Sequence, residues 1–245
     1  MKIAAVCVTY LRPKLLGEVV RSFELQDYPL EKRELVILDD AGQYENQSGP
    51  GWRLISIPGR FHSLGEKRNA AAALASPDAE AFAVWDDDDV YLPWALGTVA
   101  RALRRGTWAR PSQVLLELPG GRLGRFATYP AGDPARRAYH GGWAYRRGVF
   151  QRVGGYRAIN NGEDREFAQR VFAEFGQSVD PADDHPDPYY LYRGNTGSYH
   201  TSSLKPGGYA GLGARRIAKI DRLPIGWAKD YRKLPIEKRL RPRRW

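Results

Sequence analysis

Apolar and polar positions in the first hundred residues switch repeatedly between two periods. Residues 3–8 form a short unbroken apolar run, the pattern of a parallel strand buried on both faces. Pro13 then opens a helix, where its missing N–H costs little, and Leu15, Leu16, Val19, Val20 and Phe23 recur at helical spacing to make one apolar face. Residues 35–38 predict a second strand ending at Asp39 and Asp40, and residues 54–57 a third. Residues 65–75 read as an alanine-rich helix stopping before Pro77, residues 81–85 as a fourth strand, and Pro93 as the start of a helix reaching about Arg104. This order of strand, helix, strand, strand, helix and strand predicts an α/β fold with a mostly parallel central sheet flanked by helices, its first half wound as a nucleotide-binding unit.

The second half is less regular. Residues 114–118 and 122–128 read as two strands joined by Pro119, Gly120 and Gly121, and residues 129–142 as loop. Residues 163–175 predict a helix, with Phe167, Val171 and Phe175 four apart. Residues 180–188 are acidic and proline-rich and predict an exposed loop, and residues 207–213 are rich in glycine. No internal repeat or clear linker divides the chain. It reads as one domain over residues 1–205, with a nucleotide-binding half (1–100) and an acceptor-binding half (101–205), followed by an extension over 206–245.

Charge changes the picture at that extension. The chain of 245 residues carries a net charge of +10, but from Ala214 to Trp245 twelve Lys and Arg face three acids, so the body is close to neutral. Such a tail suits an anionic surface: lipid, nucleic acid or a diphosphate. Cys7 is the one cysteine and lies in an apolar run, which excludes a disulfide framework and predicts a buried thiol. No run of 18 apolar residues predicts a membrane-spanning helix, and the first ten residues read as a strand rather than a leader. The expectation is a cytoplasmic protein, with the basic tail able to hold it at a membrane surface.

The candidate chemistry lies at the strand ends. Asp86, Asp87, Asp88 and Asp89 follow a buried strand, and their mutual repulsion raises carboxyl pKa values unless cations neutralise them. Carboxylate oxygens suit hard divalent ions, and a strand end in an α/β sheet is where ligands bind. At the end of the first strand, Thr9 offers a hydroxyl and Tyr10 a ring on which a base can stack, while Asp39 and Asp40 can accept hydrogen bonds from a base or ribose. Lys67 and Arg68 sit near a helix N-terminus, which already favours anions. Glu163 and Asp164 open another helix, where a carboxylate facing a cleft can take a proton from an acceptor hydroxyl.

Taken in order, VTYLRP, ILDD, GEKRNAA, DDDD before a proline-led helix, and GED opening a helix resemble the family 2 glycosyltransferases of the GT-A fold, over roughly residues 1–205. The resemblance implies that Thr9, Tyr10 and Asp39 hold the nucleoside, with Lys67 and Arg68 near the base or phosphates. It makes Asp86 and Asp88 the DxD pair for Mn2+ or Mg2+, Asp88 the direct ligand, with Asp87 at the donor and Asp87 or Asp89 as alternative registers. Asp164 would be the general base, with Glu163 beside it shaping the acceptor site. His200 would lie over the diphosphate or complete the metal shell, with Arg193 a similar candidate. Residues 140–156 resemble the acceptor-side stretch, Gly141 and Gly142 admitting a ligand and Trp143 offering a face to a sugar. The implied reaction is inverting transfer from a nucleotide-sugar, uridine diphosphate being the family's commonest carrier, to a hydroxyl on a glycan, lipid-linked sugar, protein or modified nucleic acid. The absence of membrane helices and the short chain argue against a processive polysaccharide synthase. Two other readings remain. A sugar-phosphate nucleotidyltransferase would usually carry a glycine-rich loop where this chain has TYLRPKLL, and a nucleic-acid-binding protein would use Trp227, Tyr231 and Trp245 among the tail's cations.

Overall fold

The computed structural model describes residues 1–118, 122–127, 139–193 and 217–220. The predicted α/β architecture is present. In chain order the first half contains β1 (Ile3–Thr9), α1 (Pro13–Glu24), β2 (Arg33–Asp39), β3 (Gln47–Gly49), β4 (Trp52–Ser56), α2 (Leu64–Ala73), β5 (Ala81–Val84), β6 (Val90–Tyr91) and α3 (Ala95–Arg105). The second half contains β7 (Trp108–Ala109), β8 (Gln113–Leu118), β9 (Arg122–Ala127), β10 (Ala144–Arg146), α4 (Arg147–Val153), α5 (Glu163–Phe175), β11 (Tyr190–Tyr192) and β12 (Ile217–Ile220). A seven-stranded sheet runs in the order β3-β4-β2-β1-β5-β10-β7. Its centre, β4 to β5, is parallel, and β3, β10 and β7 add antiparallel edges.

Why these runs make a buried sheet is visible in β1. Successive side chains point to opposite faces of a strand. Ile3, Ala5 and Cys7 pack with Leu16, Val19 and Phe23 of α1 and with Leu96, Val99 and Leu103 of α3. Ala4 and Val6 pack with Ala71 and Ala72 of α2, Val149 of α4, and Phe167 and Val171 of α5. Both faces are covered, so the strand has no polar alternation. Cys7 is buried and free, as expected, and burial, aided by Asp87 and Asp86, pushes its thiol pKa well up.

A second sheet, in the order β12-β9-β8-β11-β6, was not foreseen as a unit. The β8–β9 hairpin matches the predicted pair, but β6 and β11 are too short to show a period. They join because Leu191 pairs with Val90 on one side and with Leu115 on the other. β12, inside the basic segment, pairs antiparallel with β9. Residues 180–188 also differ from the exposed loop expected. Pro181 is buried, Arg105 ion-pairs with Asp184 at 2.6 Å, and His185 stacks on Trp94 with ring centroids 5.1 Å apart. Helix α3 starts at Ala95 rather than Pro93, α2 stops two residues early, and Leu15 is only half-buried. Among the described residues no helix is long and apolar enough to cross a membrane.

Among the contacts that join the two halves, one is made at a glycine. Gly65, in the first turn of α2, lies against the segment leading into α5: its N–H donates to the Ile159 carbonyl at 3.2 Å, and a Cβ there would stand 1.8 Å from the Arg157 carbonyl oxygen. Gly65→Ala must push these backbones apart. The expected cost is about 1–3 kcal/mol, or roughly 2–12 °C in a thermal melt of a domain this size. An unchanged melting temperature would show that the contact yields freely.

Candidate active site

The C-terminal ends of β1, β2 and β5 lie side by side, with Thr9 opposite Asp39 in the ladder. Asp39 is fully buried, and its carboxylate organises its own turn, accepting from the Ala41 N–H (3.1 Å), the Gln43 N–H (3.1 Å) and the Ser56 hydroxyl (2.7 Å). Thr9 is buried too, and its carbonyl accepts from Lys67 Nζ at 2.6 Å. Tyr10, half-buried, keeps its ring at the surface, with the Arg60 guanidinium over it at 4.1 Å and Lys67 Nζ 5.9 Å away.

Three consecutive residues of α2 hold this site to the rest. About 100° separates neighbours around a helix, so they reach different places. Lys67 turns to β1 and β2, ion-pairing with Asp40, and burial lowers its pKa. Arg68 reaches Asp86 with Nη1 and Nη2, both at 3.3 Å, and Glu163 with Nε at 3.4 Å. Asn69 exchanges two hydrogen bonds, both 2.8 Å, with the backbone of Tyr156. Glu163 is buried, and burial raises its pKa against the opposing pull of Arg68. Asp164 beside it is half-buried and accepts from the Arg165 N–H at 2.7 Å.

The four aspartates divide their work. Asp86 goes to Arg68. Asp87 and Asp88 share Arg12, whose Nη1 lies 2.5 Å from Asp87 Oδ1 and 3.0 Å from Asp88 Oδ2. Asp87 is pushed up to about 6, chiefly by burial, with Arg12 pulling down and Asp88 and Asp86 pushing up. Asp89 accepts from the Tyr190 hydroxyl and, at 2.8 Å, from the Arg193 N–H, so it holds β11 against the aspartate turn; burial raises its pKa well above the usual range. Arg193 is likewise committed: its Nε donates to the Asp88 carbonyl at 2.5 Å, and Nη1 ion-pairs with Glu18 of α1. Its Nη2 is buried with no hydrogen-bond partner among the described residues.

Residues 5–109, less than half of the chain, match the family described as Glycosyl transferase family 2. The structure resembles that of S. aureus TarS 1-349 in complex with UDP, with a TM-score of 0.61, 15% identity, and coverage of 79% of this chain and 60% of that one. The same TarS fragment with UDP-GlcNAc gives a TM-score of 0.61 at 15% identity, covering 79% and 58%. The mannosyltransferase PcManGT from Pyrobaculum calidifontis, in complex with GDP-Man and Mn2+, gives 0.58 at 16% identity, covering 86% and 59%. Residues 5–109 are family 2-like, and the chain has the GT-A fold. It spans about three fifths of the length of these solved chains. No curated protein matches it.

Within this GT-A chain the structure brings together Thr9, Tyr10, Asp39 and Lys67 at one end of the site, and Arg68, Asp86, Glu163 and Asp164 at the other, with Asp87 and Asp88 tied to Arg12. His200 lies outside the described residues, as does the basic tail apart from β12. Trp143 is a correction. It is 4% exposed and packs edge-on against Trp108 and His140, so it presents no face to a sugar. Gly141 does meet the site: a Cβ there would stand 2.8 Å from Asp86 Oδ2 and 2.5 Å from the Tyr190 hydroxyl.

Two residues carry more than their sequence context suggested. Arg12 sits within the TYLRP motif, but only its position opposite DDDD reveals its role. It follows Leu11, a non-glycine residue at φ 55° whose side chain is exposed. Such backbone strain concentrates at functional sites. His140 is buried beside Arg68 and bonded to the Tyr156 hydroxyl at 2.9 Å; burial, then Arg68, push its pKa down to about 3, so it stands neutral beneath the charged groups.

The donor set fits a hard divalent ion in chemistry. The described candidates are all carboxylate oxygen, and although burial is the main cause of the raised Asp87 pKa, Asp88 and Asp86 add a repulsion that a cation relieves. Among the described residues no three His, Cys, Asp or Glu side chains are gathered as a ready ligand set. Phosphate oxygens and water would have to complete the shell.

Proposed function

We propose that the protein is a metal-dependent, inverting glycosyltransferase that moves a sugar from a nucleoside-diphosphate sugar, uridine-linked in the first instance, to a hydroxyl acceptor. The observation that carries this reading is Arg68. One guanidinium spans Asp86 at a donor-side strand end and Glu163 at the head of α5, next to Asp164. The aspartate turn and the head of α5, which carries the candidate base, are thereby both tied to α2. The names of the similar structures add to it: TarS was solved with UDP and UDP-GlcNAc, and the mannosyltransferase with GDP-Man and Mn2+.

In this reading residues 1–100 bind the donor and residues 101–205 the acceptor. Tyr10 stacks on the base, and Thr9, Asp39 and Lys67 shape the nucleoside pocket. Asp86 and Asp88 would hold Mn2+ or Mg2+, which would supply charge neutralisation for the departing diphosphate. Arg12, Asp87 and Arg68 line the same side. Asp164 takes the proton from the acceptor hydroxyl as that oxygen bonds to the anomeric carbon, and the bond to the diphosphate breaks on the opposite face, inverting the configuration. The basic tail recruits an anionic acceptor or surface: a lipid-linked sugar, a glycan or protein with acidic groups, or modified nucleic acid. His200, outside the described residues, would complete the metal shell or contact a phosphate.

A thermal-shift series with UDP, GDP, ADP and CDP, each with and without Mn2+, tests the reading. A ligand at 100 times its Kd adds about 2.7 kcal/mol to the native state. The expected result is a rise of several degrees for UDP or GDP that is larger with Mn2+ present. No shift with any nucleotide would remove the donor site.

A further inference from the structure

The loop between β4 and α2 carries a residue that no motif singled out. Arg60 is exposed, and its guanidinium lies over the Tyr10 ring at 4.1 Å, the spacing of two stacked planes. Among the described residues no carboxylate pairs with it. Being exposed, it can present its donors to a ligand.

The loop that presents Arg60 is held in place by the same strand end that forms the site. The Ile57 N–H donates to the Asp39 carbonyl at 2.9 Å, and the Phe61 N–H to Asp40 Oδ2 at 3.2 Å. Pro58 packs against Gly42, where a Cβ would be 3.0 Å from the Pro58 Cα, and the His62 carbonyl accepts from Asn160 Nδ2 at 3.0 Å. Asp40 is already paired with Lys67, so it does not draw Arg60 inward. An exposed arginine on a loop pinned on both sides is placed against a ring rather than merely solvated.

We infer that Arg60, set against Tyr10, is a nucleobase-selecting residue that donates hydrogen bonds to the O4 of uracil or the O6 of guanine. This rests on the donor site proposed above and says which bases it takes. A guanidinium has only donors. It matches the O4 of uracil or the O6 of guanine, the positions at which cytosine and adenine carry an amino group instead, so a contact there rejects CDP and ADP whereas the O2 that cytosine shares with uracil would not. Its plane also stacks, which an ammonium cannot reproduce.

The test is calorimetric titration of UDP, GDP, ADP and CDP, with Mn2+, into the wild-type protein and into the Arg60→Ala and Arg60→Lys variants. Wild type should bind UDP or GDP at least about ten-fold more tightly than CDP and ADP, and Arg60→Ala should weaken the preferred ligand about ten-fold, as loss of a charged hydrogen bond does. CDP and ADP should change by less than about two-fold on the same scale. Arg60→Lys should resemble Arg60→Ala, because it keeps the charge and loses the plane. Since Arg60 is exposed, both variants should melt with wild type. Equal weakening of all four nucleotides would reduce Arg60 to general phosphate attraction and overturn the inference, as would unchanged affinities. If wild type binds a nucleotide and Arg60→Ala is silent, the inference fails and the donor site stands. If wild type binds none of the four, both fail.

Discussion

Asp164→Asn should lower turnover by about a thousand-fold, within the range a positioned general base contributes, while UDP affinity stays within about two-fold of wild type on the same argument. Asp164 opens α5 as its second residue, half-buried, with Oδ1 accepting from the Arg165 N–H at 2.7 Å. Asparagine keeps that acceptor and the shape of the side chain, and removes only the ability to take a proton. Glu163 makes the contrast. It is buried against Arg68, so Glu163→Gln should disturb the packing of the site before it touches proton transfer. Release of UDP from UDP-sugar with water as the acceptor, read beside calorimetric UDP binding, separates the two quantities without knowing the natural acceptor. Turnover in Asp164→Asn that matches wild type would remove the base from this position.

The parts of the fold that were legible share a physical cause. A strand covered on both faces must be apolar throughout, and β1, β2 and β5 say so in their residues. A helix packed on one face must repeat at helical spacing, as α1 and α5 do. The second sheet was illegible as a unit because β6 and β11 hold two and three residues, and what joins them is burial of Tyr91 and Tyr190 against each other, a contact that no local period records.

The site follows the same division. The types of residue at the strand ends were legible, since a run of four aspartates after a buried strand asks for cations. Which aspartate does what was not. That assignment is made by Arg12, 75 positions before Asp87, and by Tyr190, 101 positions after Asp89. Trp143 failed for a related reason. An aromatic residue beside two glycines suits a sugar platform equally well until Trp108 and His140 are seen to enclose it.

Arg68 should be the least replaceable side chain of the site for stability and activity together. It is 12% exposed and serves Asp86 and Glu163 at once, so Arg68→Met leaves buried negative charge without a partner. Breaking a buried pair in this way costs about 3–5 kcal/mol, or roughly 6–20 °C in a melt of this size. Arg68→Lys should recover little, because a single ammonium does not reproduce the guanidinium fork. The loss should also depend on pH. Burial already raises the Glu163 pKa, and without Arg68 it rises further. The folded state then holds a proton that the unfolded state releases, so stability falls as pH climbs from the ordinary carboxylate range towards neutrality. Arg68→Met should therefore lose more melting temperature between pH 5 and pH 8 than wild type does, by the same linkage. Asp86 across the guanidinium and Asp164 beside Glu163 add to that trend, both being negative. Adding Glu163→Gln to Arg68→Met removes the strained carboxylate and should restore much of the stability, without restoring turnover, because the tie between the donor-side aspartate and α5 is still cut. A double variant that regained both would mean that Arg68 only neutralises Glu163 and positions nothing.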